Sequence, residues 1–411
     1  MEKYAEYKGS DLPWIKVLPT HWKSTKIKFL SKMQSGNNIA AIDITDEGEY
    51  PVYGGNGLRG YTSTATHMDS HILIGRQGAL CGNVRLVTGP FYATEHAIVV
   101  YTNSLTDANW YKYLLEVMNL NQYATSAAQP GLSVDLIVNK GAFLPLLLEQ
   151  QVIANYLDRK TAQIDSIIAD KEKLIELLKE KRQAIISEAV TRGLDSSAPM
   201  KISGVAWIGQ IPAHWEIKPL FTVAFENKAK NSGNQCANLL SLSYGRIIKK
   251  DIDTNFGLLP ESFETYQIVE DGYTILRLTD LQNDKRSLRS GFVSEKGIIT
   301  SAYVGLIPSN DVDGLFLSDL LHAYDLMKIF YSLGNGVRQS MNYKDLKRLP
   351  ILLPPKSEQK MISNYLRNKT AEIDDLISTS EQQVSLFKEY RQSVISEAVT
   401  GKIKIPGGDI A

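Results

Sequence analysis

The feature that most constrains this chain is a long segment written twice. Residues 155–191, NYLDRKTAQIDSIIADKEKLIELLKEKRQAIISEAVT, align without gaps to residues 364–400, NYLRNKTAEIDDLISTSEQQVSLFKEYRQSVISEAVT, at a constant offset of 209. About twenty of the 37 positions are identical. A shorter repeat opens each half: Trp14-Ile15, Pro19 and His21-Trp22 return as Trp207-Ile208, Pro212 and His214-Trp215, at an offset of 193. Because the two offsets differ, the chain is a duplicated unit whose middle changed in length and sequence while both flanks stayed alike.

Each long repeat predicts a helix. Apolar residues fall at alternating spacings of three and four, at Ile164, Ile168, Ile175, Leu178, Ile185 and Ala189 in the first copy and at Ile373, Ile377, Val384, Phe387, Val394 and Ala398 in the second. Lys, Glu, Gln and Arg occupy the other faces, which is the coiled-coil pattern. At 1.5 Å per residue such a helix spans on the order of 55 Å, too long to bury its stripe inside one compact domain. Pairing the two copies hides both stripes, and antiparallel pairing suits helices that each follow their own globular segment. A coiled coil with an unrelated partner is the other arrangement.

The expected division is therefore a globular segment at 1–145, a helical region at 146–200, a second globular segment at 201–353 and a second helical region at 354–411. The globular segments carry short β-rich runs broken by Gly, Asn and Asp, so the predicted class is mixed α/β, of the α+β kind. In the first, HILIGRQGALCGNVRLV (71–87) and FYATEHAIVVY (91–101) predict strands, and Asp107 to Leu120 a helix. In the second, YTILRLTDL (273–281) and the run GIITSAYVGLIP predict strands, followed by a helix around Leu317 to Leu333.

With 411 residues and 43% hydrophobic content, the chain can bury sizeable cores in two to four domains. Two cysteines, Cys81 and Cys236, give neither a disulfide framework nor metal-ligand spacing, and favour a reducing cytoplasm with ordinary buried thiols. The start MEKYAEYKGSDLPW lacks an apolar core of signal-peptide length, and the most apolar short run, Ala142 to Leu148, is far below spanning length. The net charge of zero decides nothing about nucleic acid, because phosphate binding depends on local clusters of Lys and Arg.

Catalytic patterns are missing. There is no Gly-rich loop ending in Lys-Ser/Thr for ATP. The run GGNGLRG (54–60) lacks the strand-loop-helix continuation of a dinucleotide site and reads as a turn. Leu353-Pro354-Pro355 has no preceding Asn or Asp, so the tetrapeptide of a DNA amino-methyltransferase is absent. Glu6-x-Lys8 has no upstream acidic partner to share a metal, so nuclease chemistry is unsupported and no metal site is expected. His21 and His214, each before Trp at the entrance to a globular segment, predict packing against the helices.

What remains are polar residues on Gly-flanked turns, of types that suit base edges: Arg for guanine, Gln and Asn for adenine. In the first segment the candidates are Arg59, Arg76, Gln77 and Gln129; in the second they are Arg277, Thr279, Asn283, Lys285, Arg289, Arg338, Gln339 and Asn342. The stretch AQPGLSVDLIVN has a counterpart in GNGVRQSMNYKDL, with Gln129 and Asp135 matching Gln339 and Asp345. A solvated loop, a surface ion pair or a join between segment and helix is the bland alternative for each.

Across nearly its whole length the chain resembles the specificity subunit of type I restriction-modification systems. The resemblance is carried by the helix endings RQAIISEAVT and RQSVISEAVT, the approaches LPLLLEQQVIANYLD and LPPKSEQKMISNYLR, and the openings LPTHWK and IPAHWE. ILIGRQGALCGNV, YATEHAIVV and GVRQSMNYKDL add to it. The one departure is Leu147-Leu148 before Glu149-Gln150, where the second copy has Pro354-Pro355 ahead of Glu358-Gln359. The resemblance implies a non-catalytic, cytoplasmic protein with two target-recognition domains, each reading half of a bipartite, asymmetric site in double-stranded DNA. The helices would set the spacing and dock two methyltransferase subunits, joined by two restriction/translocase subunits. S-adenosylmethionine, ATP and Mg would belong to those partners. Two other classes stay open: a chain that itself modifies or cuts DNA, and a coiled-coil adaptor that binds proteins without reading DNA.

Overall fold

Two uninterrupted helices, Leu147–Arg192 and Lys356–Val399, contain neither Gly nor Pro. Each starts just after a proline and stops at a glycine with positive φ, Gly193 at +77° and Gly401 at +70°, the backbone that ends a helix without a Cβ penalty. They therefore begin upstream of the repeated segment, and the Leu147-Leu148 departure forms the first turn of the first helix. The computed structural model describes residues 2–78, 80–125, 131–250, 262–279, 281, 288–333 and 340–407. Contacts divide the chain into two units: residues 1–171 with 382–411, and residues 172–381.

The first unit is built on a four-stranded antiparallel sheet in the order Ser31–Ser35, Ala97–Thr102, His71–Gly75, Val84–Val87. Side chains alternate between its faces. Ile72, Ile74, Ile98 and Val100 join the main core with Trp110 and Leu114 of helix Ala108–Val117, whereas Leu73, Val87 and Val99 join a smaller core with Phe91 and Ala93. Over the smaller core lies a three-stranded sheet of Gly57–Thr62, Tyr50–Gly54 and Tyr92–Ala93. The main core also takes Ile153, Ala154 and Leu157 of the first long helix and Val394, Ile395, Ala398 and Val399 of the second.

The second unit repeats this topology with unlike residues. Its antiparallel sheet runs Ala224–Glu226, Val304–Pro308, Thr274–Leu276, Ser290–Phe292, so in both sheets the strands lie in the order first, fourth, second, third. A hairpin, Leu240–Ser243 with Arg246–Lys249, stands where the first unit has Tyr50–Thr62: Leu239 bridges Ile298 in parallel, as Val52 bridges Tyr92. Helix Gly314–Leu326 matches Ala108–Val117. The expected strands are present as shorter pieces, and the helix expected around Leu317 to Leu333 is two helices, Gly314–Leu326 and Ile329–Leu333, separated by Lys328 at φ +60°.

Within each unit the helices run antiparallel. In the first, Asp165 meets Arg391 at 2.8 Å; in the second, Arg182 meets Asp374 at 2.9 Å and Lys179 meets Glu381 at 3.6 Å. The two Asp–Arg contacts are one ion pair written twice, since Asp374 and Arg391 are the repeats of Asp165 and Arg182. Of the expected seam residues, Ile164, Ile168, Ile175, Ile373, Ile377, Val384 and Val394 are buried, while Leu178, Ile185 and Phe387 are partly exposed. Near the end of the first helix burial moves from Ile185 to Ile186, because a period of 3.6 drifts from a heptad seam and the stripe there faces the second unit's core.

Candidate nucleic-acid interface

Each globular segment is fastened to its helix by the same three-part joint. Gln150 and Gln359 are buried in the first helical turns. Gln150 accepts from Asp107 N at 2.8 Å and donates to Leu105 O and Pro145 O; Gln359 accepts from Asp313 N at 2.8 Å and donates to Asp311 O and Pro354 O. The same two aspartates cap the segment helices, accepting from Trp110 N and Phe316 N at 2.9 Å. His21 Nε2 lies 3.1 Å from Glu149 and His214 Nε2 lies 2.7 Å from Glu358, so both histidines join an entrance to a helix start, as the repeated His-Trp predicts.

Fastened this way, the first segment presents a cluster of polar groups beside its glycine run. GGNGLRG forms the turn of the hairpin, with Asn56 exposed at the tip. Arg59 lies on the strand after the turn, its stem across Gly54: a Cβ there would sit 2.6 Å from Arg59 Cδ. Gly55 backs onto the Arg76–Gln77 segment, with its Cβ position 2.8 Å from Gln77 O. Gln77 is exposed and bridges Gly131. Arg76 is partly buried and donates through Nη1 to Ser35 Oγ at 3.0 Å and Glu95 O at 3.4 Å, so part of its guanidinium holds the end of the sheet. The structure thus brings Asn56 near the Gln77–Gly78 turn, with Arg59 exposed on the adjoining strand; Gln129 lies outside the described residues.

The second segment corrects the sequence reading at one candidate. Arg289 is fully buried. Its Nε donates to Tyr331 Oη at 3.1 Å, its Nη1 to Thr279 O at 2.7 Å and Arg277 O at 3.3 Å, and its backbone N to Asp325 Oδ2 at 2.6 Å. It is an internal brace between strands and helices, because its acceptors come from segments remote in sequence, and it cannot reach a base. Asn342 is exposed, but its Oδ1 accepts from Lys344 N at 2.9 Å as the cap of helix Tyr343–Leu346. Arg277 and Thr279 are partly buried, while Asn283, Lys285, Arg338 and Gln339 lie outside the described residues.

The two cap segments also align one residue away from the expected match. Leu132 N donates to Arg76 O and Met341 N to Leu278 O, both at 2.9 Å, which sets Ser133 against Asn342 and Asp135 against Lys344 rather than Asp345. Both caps serve short helices, and a helix of one turn tolerates an acid at either its second or third position.

Titratable groups cluster in both segments. In the first, His67 Nε2 lies 2.8 Å from Tyr101 Oη, which accepts from Gln34 at 2.9 Å; burial, and then His71 beside it, hold the His67 imidazole below its usual range. In the second, a cavity of about 560 Å³ is lined by Arg182, Arg246, Asp319, His322 and Asp374 among others. Burial pushes Asp319 up to about 7, against the pull of Arg182, and pushes His322 down to about 4, with Arg182 adding to the depression. Cys81 is buried, which raises its thiol, and Cys236 is partly exposed; both are free. Among the described residues no group of three or more His, Cys, Asp or Glu could hold a metal, and no helix is long and apolar enough to cross a membrane.

Residues 19–177 match the type I restriction modification DNA specificity domain. Over 142 residues the chain is 45% identical to the type I restriction enzyme EcoprrI specificity subunit of Escherichia coli; the match covers 34% of this chain and 35% of that protein, so it spans about a third of that relative's length. The EcoDI specificity subunit of Escherichia coli is 21% identical over 423 residues, covering 94% of this chain and 89% of the relative. A solved structure concerned with complex assembly and conformational transition of the type I R-M system superposes with a TM-score of 0.65 at 14% identity, over 93% of this chain and 99% of that one. At that identity it shows the fold alone. The chain resembles type I specificity subunits, as its duplicated motifs imply, and shares their mixed α+β fold with two long helices.

Proposed function

We propose that this chain is the DNA sequence-specificity subunit of a type I restriction-modification complex and carries no catalytic site. Each globular segment reads one half of a bipartite, asymmetric site in double-stranded DNA. The two helices fix the spacing between the halves and dock two methyltransferase subunits, with two restriction/translocase subunits completing the assembly in the cytoplasm. S-adenosylmethionine, ATP and Mg are held by those partners.

One observation carries this reading: identical joints hold unlike segments. The Gln150 and Gln359 joints, the His-Glu contacts and the duplicated Asp-Arg pair repeat residue for residue, whereas the exposed turns they support share almost nothing. Supports must satisfy one geometry twice, but reading surfaces must match two different base sequences. In the first segment, Gly-flanked turns hold Asn56, Arg59 and Gln77 where a groove edge can meet amide and guanidinium donors. Partner subunits contribute to the grip on the phosphate backbone.

Segment exchange tests the reading. Replacing residues 1–145 with the equivalent segment of a relative, in cells that supply the methyltransferase, should change one half of the methylated-adenine motif and leave the other half and the spacing intact. A change in both halves, or in neither, refutes it. A duplex-DNA mobility shift with methyltransferase present should weaken steeply with salt; salt-insensitive binding would leave the adaptor class standing.

A further inference from the structure

Arg85 occupies an unusual place in the first unit. On strand Val84–Val87, Val84 and Leu86 face the main core, while Val87 belongs to the smaller core. Arg85 shares the face of Val87, and its cross-strand neighbour Leu73 is 2% exposed in that smaller core. Its guanidinium lies against Gly57: a Cβ at Gly57 would stand 2.5 Å from Nη1 and 3.0 Å from Cζ. Gly57 also has φ +109°, a backbone that disfavours any side chain there. Among the described residues the Arg85 side chain has no hydrogen bond or ion pair.

The second unit shows how that position is otherwise filled. There Ile275 and Gly291 pair across the strands as Leu73 and Arg85 do. Leu242 and Ile247 of the overlying hairpin cover Gly291, with side-chain carbons 2.6 and 3.1 Å from its Cβ position. One unit seals the site with hydrocarbon; the other keeps a partly buried cation with five donors and no acceptor of its own. Such a group lowers stability unless a ligand completes it. Its neighbours are the exposed Asn56 of the same turn and Gln77, linked through Gly55 and Gly78.

We propose that Arg85, held against Gly57, reads a guanine of the half-site bound by the first unit, donating two hydrogen bonds to O6 and N7 in the major groove. This rests on the specificity reading above. Asn56 and Gln77 border the same base step.

The test is the methylated-adenine map of cells carrying the methyltransferase with the wild-type chain, Arg85→Ala or Arg85→Lys, after segment exchange has shown which half-site belongs to residues 1–145. Arg85→Ala should relax one G·C pair of that half by roughly ten- to a hundredfold and leave the other half unchanged. Arg85→Lys, which keeps the charge but loses the planar fork, should relax the same pair. An unchanged motif in either variant, relaxation in the other half-site, or loss of all methylation by a chain that melts like wild type overturns the assignment. If Arg85→Ala melts early, Arg85→Lys decides. A wild-type chain that directs no bipartite methylation refutes the specificity reading itself, a separate result.

Discussion

The indole Nε1 of Trp215 donates to Glu358 Oε1 at 3.0 Å, and the corresponding indole of Trp22 is buried with no partner among the described residues. In the first unit Tyr4 Oη takes the glutamate oxygen instead, at 2.6 Å from Glu149. Burial and the Glu149 contact push the Tyr4 hydroxyl far above its usual range, so it stays a donor at every ordinary pH. One repeated motif has two hydrogen-bond solutions, and they should be separable by mutation. Trp215→Phe loses volume and a charge-assisted bond, whereas Trp22→Phe loses volume alone. Urea denaturation should show Trp215→Phe as the costlier change by about 1–2 kcal/mol; equal costs would contradict the assignment.

The buried glutamines predict a larger loss. Gln359→Ala removes the acceptor of Asp313 N and the donor of two carbonyls, with Gln359 only 1% exposed. Stranding those groups should cost about 2–4 kcal/mol in denaturant titration, and Gln150→Ala should cost the same within about 1 kcal/mol.

Asp319 and His322 predict opposing pH slopes. Asp319 is raised to about 7, so the folded state holds its proton more tightly than the unfolded chain does. Its contribution is full below the ordinary carboxylate range and is lost as pH rises through about 7. His322 is lowered to about 4, so its contribution is full above the ordinary imidazole range and is lost as pH falls through about 4. Chemical denaturation between pH 4.5 and 8 should therefore separate them. Asp319→Asn should leave a protein that loses stability as pH falls, and His322→Gln one that loses stability as pH rises. Each slope should be on the order of 2 kcal/mol across the window.

The repeated ion pair should be unequal in its two places. Asp165 pairs with Arg391, but Asp374 takes both Arg182 at 2.9 Å and Arg246 at 3.1 Å. These are partly exposed pairs, so Asp165→Ala should cost about 0.5 kcal/mol and Asp374→Ala about 1 kcal/mol, with both differences shrinking in 1 M salt.

The long helices were legible because a period of 3.6 sustained over forty residues has few alternatives, and because a copy of each lies elsewhere in the chain. The four-stranded sheets were half legible. Val304–Pro308 and Ala97–Thr102 announce themselves as apolar runs, but Ser31–Ser35 and Ala224–Glu226 are short and mixed, and only their pairing makes them strands. Arg289 was misread because Tyr331 and Asp325, which hold it, lie about forty residues onward. Arg85 lies between Val84 and Leu86, and its only sequence signal is a cation interrupting an apolar strand, whose meaning depends on Gly57 from another hairpin.

The first unit takes its last part from residues 382–411, whereas the second is one continuous stretch. A ribosome therefore delivers everything the second unit needs before it delivers Val394, Ile395, Ala398 and Val399, which close the core around Trp22 and Ile153. The segment made first is the segment finished last. Until those four residues are made, that part of the first unit's core has no cover.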